Sequence, residues 1–192
     1  MKRYVSIVVV VFAALMLAAC GSKNDSKAVA EDQNDEKFDK STGEADAEFA
    51  VNAADGGMLE VQLGQLAVSS ASSPQVKEFA QMMVDDHSKA NEELKTLASG
   101  KGISIPTTLS DKNMKKYNDL AEKSGHDFDK DYIDLMVKDH KEDIDEFKKE
   151  ADKGKVPELA KWASEKLPTL EHHLQLAQSA QETVKNSNDA KK

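Results

Sequence analysis

Two nine-residue segments of this chain, Phe79 to His87 and Tyr132 to His140, are near copies of one another, each built around Met-Val-x-Asp-His. The offset is 140 minus 87, or 53 residues, and it persists downstream, where Glu93, Leu94 and Lys95 match Glu146, Phe147 and Lys148. Within each copy the apolar residues recur every three or four positions, which is the rhythm of a helix with one face in a core. A repeat of this kind duplicates a helix and constrains the chain to a helical bundle in which both histidines point inward.

Four long helical patterns fill the region from residue 46 to 186, and no stretch reads as a strand. The first spans Asp46 to Ser70, with Phe49, Ala53, Leu59, Leu63, Leu66 and Ala67 for the core and Gly56, Gly57 and Gly64 as interruptions that permit close helix approach or bending. The second opens at Ser73 with Pro74 in its first turn, where the missing N–H costs nothing, and ends near Gly100. The third covers Asp127 to Lys153, and the fourth opens at Pro157 and contains Pro168, which is expected to kink it. Between the second and third lies a long crossover, a loop over Gly102 to Thr108 and then a short amphipathic helix over Ser110 to Ser124. Two tight hairpins joined by such a crossover describe an all-α, ferritin-like four-helix bundle.

The N-terminus reads as a bacterial lipoprotein signal over residues 1–19. Lys2 and Arg3 precede an apolar run from Val5 to Met16, shorter than the ~20 residues a membrane span needs, and Leu17-Ala-Ala-Cys20 follows. Cys20, the only cysteine, is then the lipidated residue, and no disulfide within the chain can form. The lipid makes the membrane a partner through Cys20 and places the protein in the cell envelope, with Gly21 favouring the outer membrane. Residues 20–45 are polar and charged and read as a disordered tether with a span of roughly 25 to 30 Å; residues 187–192 read as a disordered tail. The formal charge of −9 becomes −11 once Lys2 and Arg3 are removed, a balance that argues against nucleic acid as a partner. Protein partners cannot be named from the sequence.

Each long helix offers one ligand-type side chain to the interior. His87 and His140 lie on the apolar stripes of the second and third helices, the rhythm of the fourth selects His173 over His172, and Glu60 lies at the inner edge of the first. Counted from the hairpin turns, all four fall within about a turn of one height. One carboxylate and three imidazoles suit a single Cu or Zn ion, with Asp86 and Asp139 as supporting carboxylates beside the histidines. The alternative is a structural polar network in an interaction or stress protein of the envelope. Met82, Met83, Met114 and Met136 read as core filler, although a thioether near the imidazoles would suit Cu(I). No Gly-rich phosphate loop, nucleophile elbow or Cys-x-x-Cys-His motif is present, which leaves little for an enzyme beyond metal-assisted hydrolysis at an open coordination position.

With its lipoprotein signal, its Glu60 helix, its doubled Met-Val-x-Asp-His and its Leu167-Pro-Thr-Leu-Glu-His-His173-Leu segment, the chain resembles a widespread bacterial envelope family, a domain of unknown function. That resemblance implies a ferritin-like bundle over nearly the whole domain and brings no established reaction. The chain is similar, more remotely, to small His- and Met-rich envelope proteins that handle copper. It departs from ferritins proper, whose di-iron site needs Glu-x-x-His on two helices, because Val84 and Val137 stand three residues before His87 and His140.

Overall fold

A computed structural model describes residues 25–38 and 43–189, so the signal segment, Cys20 and the last three residues lie outside the described residues. The helices are α1 (Ser26–Asp35), α2 (Glu44–Ser70), α3 (Pro74–Lys101), α4 (Asp111–Ala121), α5 (Gly125–Lys153) and α6 (Pro157–Asp189). There is no strand among the described residues, and no helix there is long and apolar enough to cross a membrane. The chain is an all-α bundle, as the periodicity predicts.

The most extensive contacts pair α2 with α3 and α5 with α6, and the hairpins meet through α2 against α5 and α3 against α6. Two aspartates fix how they meet. Asp129 on α5 accepts hydrogen bonds from the backbone N–H groups of Ser72 (2.9 Å) and Ser73 (2.8 Å) and from the Ser72 hydroxyl (2.6 Å), at the α2/α3 turn. Asp46 on α2 accepts from the N–H groups of Lys155 (2.7 Å) and Val156 at the α5/α6 turn. Ser73 stands at the N-cap of α3, yet its own hydroxyl caps nothing, because Asp129 does that work from another helix. Each hairpin thus clasps the turn of the other, which makes α2 antiparallel to α5 and lays α3 parallel to α5.

This reciprocity is the mark of a two-fold relation between the hairpins. Its offset is 129 minus 46, or 83 residues. The same offset carries Pro74 to Pro157, Val76 to Leu159, Phe79 to Trp162 and Ala80 to Ala163. Apart from the prolines, all of these are buried. The 53-residue repeat relates α3 to α5; the 83-residue relation is the one on which the bundle is built.

The core falls into two apolar clusters. One, around Leu63, Val76, Phe79, Met83, Tyr132 and Met136, lies toward the α2/α3 turn; the other, around Phe49, Leu94, Phe147, Leu159 and Trp162, lies toward the α5/α6 turn. In the second cluster Phe49 meets Phe147 edge-on with ring centroids 5.0 Å apart. Gly64 sits where α2 crosses α3 closely: a Cβ there would lie 2.8 Å from Val84 Cγ2 and 3.0 Å from the Ala80 carbonyl oxygen. The expected close approach is real at this glycine, whereas a Cβ on Gly56 would meet nothing.

Three sequence expectations need correction. The segment read as a disordered tether holds α1, whose N-cap Asp25 accepts from the N–H of Lys27 at 2.8 Å. It docks by polar contacts: Asn34, buried, donates to the Ser104 carbonyl (2.8 Å) and accepts from the Ser104 N–H (2.7 Å), and Asp25 accepts from the Asp111 N–H (2.9 Å). A segment with few apolar residues cannot build a core alone, but it can lie on one that already exists. The tail read from residue 187 is helical to Asp189, a continuation of α6. Met114 is exposed rather than core, on the outer face of α4.

Candidate metal centre

Between the two apolar clusters lies a polar layer. Glu60 on α2, His87 on α3, His140 on α5 and His173 on α6 are all buried there, one from each long helix, as expected. The neighbouring His172 is exposed.

Each ring nitrogen that faces outward meets an acceptor. His87 Nδ1 lies 2.8 Å from Glu60 Oε2, His140 Nδ1 lies 3.0 Å from the Met136 carbonyl oxygen, and His173 Nε2 lies 3.0 Å from Asp86 Oδ2. A carbonyl or ionised carboxylate cannot donate, so these three nitrogens carry the protons, an assignment made from their partners. In neutral rings the remaining nitrogens, His87 Nε2, His140 Nε2 and His173 Nδ1, are then bare lone pairs. They converge. His173 Nδ1 is 3.3 Å from His87 Nε2 and 3.4 Å from His140 Nε2, and one nitrogen from each ring lies within 4.8 Å of the others.

The electrostatics match that assignment for two of the rings. Burial pushes His140 down to about 4 and His173 below its ordinary value, so both are neutral near pH 7. Burial also opposes charge on His87, but the Glu60 carboxylate outweighs it and raises this imidazole. For Glu60 burial is likewise the largest influence, yet the neighbouring histidines, His87 foremost, hold its carboxyl well below the usual range.

A description of a family, Domain of unknown function (DUF4142), matches residues 28–180, well over half of the chain and including every residue of this layer. The chain belongs to that family. No curated protein and no solved structure matches it. The DUF4142 match begins inside α1, in keeping with that helix being part of the folded body.

Within this DUF4142 domain Glu60, expected as a fourth ligand, and the two supporting aspartates differ in place from what spacing suggests. Glu60 touches the outer nitrogen of His87, on the far side of the ring from the converging lone pairs. Asp86 serves His173 across the bundle rather than its chain neighbour His87. Asp139 does not reach a histidine; both of its oxygens lie 3.3 Å from Lys116 Nζ. The methionine sulfurs of Met83 and Met136 belong to the apolar cluster, and Met136 serves the site through its carbonyl. Sequence reasoning missed Asp143. This side chain approaches Glu60 and His140, with one ligand atom from each of the three within 4.8 Å of the others. Two signals could have found it: it follows His140 by three residues, on the same helix face, and it follows Glu60 by 83.

A cleft of about 120 Å³ opens from the surface onto the layer, reaching His87, His173, Glu60 and Asp143 past Trp162 and Lys166. The rings are therefore buried but not sealed.

Proposed function

We propose that this protein binds one transition-metal ion, Zn or Cu, through His87 Nε2, His140 Nε2 and His173 Nδ1, as a lipid-anchored protein of the cell envelope. The observation that carries the reading is the convergence of three lone pairs whose opposite ring nitrogens are already committed to acceptors. A proton on one nitrogen could relieve only one of the two contacts at His173 Nδ1, whereas a cation accepts all three pairs at once. Two imidazole nitrogens about 2.0 to 2.1 Å from one tetrahedral ion lie roughly 3.3 to 3.4 Å apart, and the spacings of 3.3 and 3.4 Å fit that requirement. Glu60, the Met136 carbonyl and Asp86 then orient the rings, the usual support for histidine ligands. Imidazole suits zinc and copper alike, and three protein ligands leave a position facing the cleft. The envelope location is supported by the lipoprotein-type segment ending in Cys20.

Metal analysis of the untagged full-length protein, made with its own signal in a bacterial host, tests this directly. One equivalent of zinc or copper is expected, with affinity falling by more than about 100-fold in His173→Ala and the melting temperature of the metal-free protein changing little by comparison. A wild-type protein that takes up neither ion at micromolar concentration would leave the layer as a structural polar network.

A further inference from the structure

Beside the imidazoles lies a second cluster that the histidine site does not use. Glu60 Oε2 is occupied by His87, but Glu60 Oε1 is buried without a hydrogen-bond partner. The closest donor-type atom, His140 Nδ1 at 3.5 Å, is turned to the Met136 carbonyl at 3.0 Å. A buried acceptor left this way costs about 1 to 3 kcal/mol unless something fills the gap. Across from it stands the Asp143 carboxylate, which has no hydrogen bond or ion pair among the described residues. The nearby Lys116 is engaged with Asp139.

The two-fold relation explains why the carboxylates meet: 60 plus 83 is 143, so they are the same position in the two hairpins, brought face to face across the bundle axis. The histidines do not share that symmetry. The counterparts of His140 and His173 are Gly57 and Ala90. A Cβ on Gly57 would lie 2.1 Å from Asn91 Oδ1, so a side chain there would first have to displace the Asn91 amide.

We propose that Glu60 Oε1 and the Asp143 carboxylate hold a second, hard divalent cation, of the Mg²⁺ or Mn²⁺ type, next to the three-histidine site. Two ionised carboxylates facing each other in a buried layer repel, and either a proton shared between them or a cation held by both relieves that repulsion. Two clefts end on this pair: the one past Trp162, and another of about 140 Å³ whose walls include Asp55, Asp139, Glu142 and Glu146 with Lys27 and Lys116. The second is rich in carboxylates and roomy enough for several waters, which a hard ion keeps when only one or two carboxylates bind it. Carboxylate oxygens and water suit such an ion, as the imidazoles suit zinc and copper.

The test is Mn(II) uptake by the full-length protein already loaded with one equivalent of zinc, followed by the electron paramagnetic resonance signal of free Mn(II). Wild type is expected to bind one equivalent. Asp143→Asn and Asp143→Ser, each confirmed helical by circular dichroism, should lower Mn(II) affinity at least about tenfold and keep their zinc. His173→Ala should lose zinc and still bind Mn(II), so the two sites fail separately. No Mn(II) uptake by wild type, or equal uptake by the folded Asp143 variants, would overturn the proposal.

Discussion

Glu60 faces two ways. One oxygen holds the His87 ring, and the other is turned toward Asp143. Glu60→Gln keeps the shape and removes the charge, so His87 exchanges a charged acceptor for a weaker amide oxygen. Zinc affinity is expected to fall by about 10- to 100-fold, measured by competition with a chromogenic chelator, and an unchanged affinity would mean the ring is held by packing alone. The histidines were legible in the sequence because each lies on a stripe of residues that can only face inward. Asp143 was not: an acidic residue next to the buried Ile144 reads as the solvent edge of a helix, and only the partner hairpin shows that this edge is covered. Asp86 was misassigned for a related reason. Sequence adjacency suggests His87, but neighbours on a helix point about 100° apart, and the ring that Asp86 reaches comes from α6.

At the scale of helices, the α5/α6 turn carries a pH dependence of its own. Glu150 has a buried oxygen without a partner, and burial, then the nearby Asp46 carboxylate, raise its carboxyl from 4.5 to about 7. The folded protein therefore binds more protons here than the unfolded chain between those values, and stability falls as pH rises through that window. Glu150→Gln removes the charge without the volume. Its melting temperature should exceed that of wild type at pH 8 and match it at pH 5; a constant difference at both would show that Glu150 is not the group that titrates. The long helices were readable to within a few residues, since glycines and prolines stand at their ends, as at Gly102 with φ of 70° and at Pro157. α1 was not readable, because what holds it is a set of polar contacts to a loop some seventy to eighty-six positions away, the Asn34–Ser104 pair and Asp25 with the Asp111 N–H among them.

For the whole molecule, the 53-residue repeat was visible because it preserves a motif, while the 83-residue relation preserves mainly apolar character and the two clasping aspartates. Sequence identity therefore pointed to a pair of parallel helices on the diagonal, and the packing pairs hairpins instead. α1 stands outside that symmetry and is held largely by polar contacts. Asn34→Ala should speed amide exchange throughout α1 and expose residues 26–38 to protease, with global unfolding changed by no more than about 1 to 2 kcal/mol. Equal protection of α1 in the variant would show that other contacts hold it.

That docking also shortens the leash. Cys20 lies five residues before Asp25, the first described residue and one that is bonded to the body, so in a lipid-modified protein the link between acyl chains and bundle could extend no more than about 17 Å. Such a body would stay near the bilayer with α1 and the 104–111 loop on its tethered side, and undocking of α1 would lengthen its reach by the residues that α1 holds.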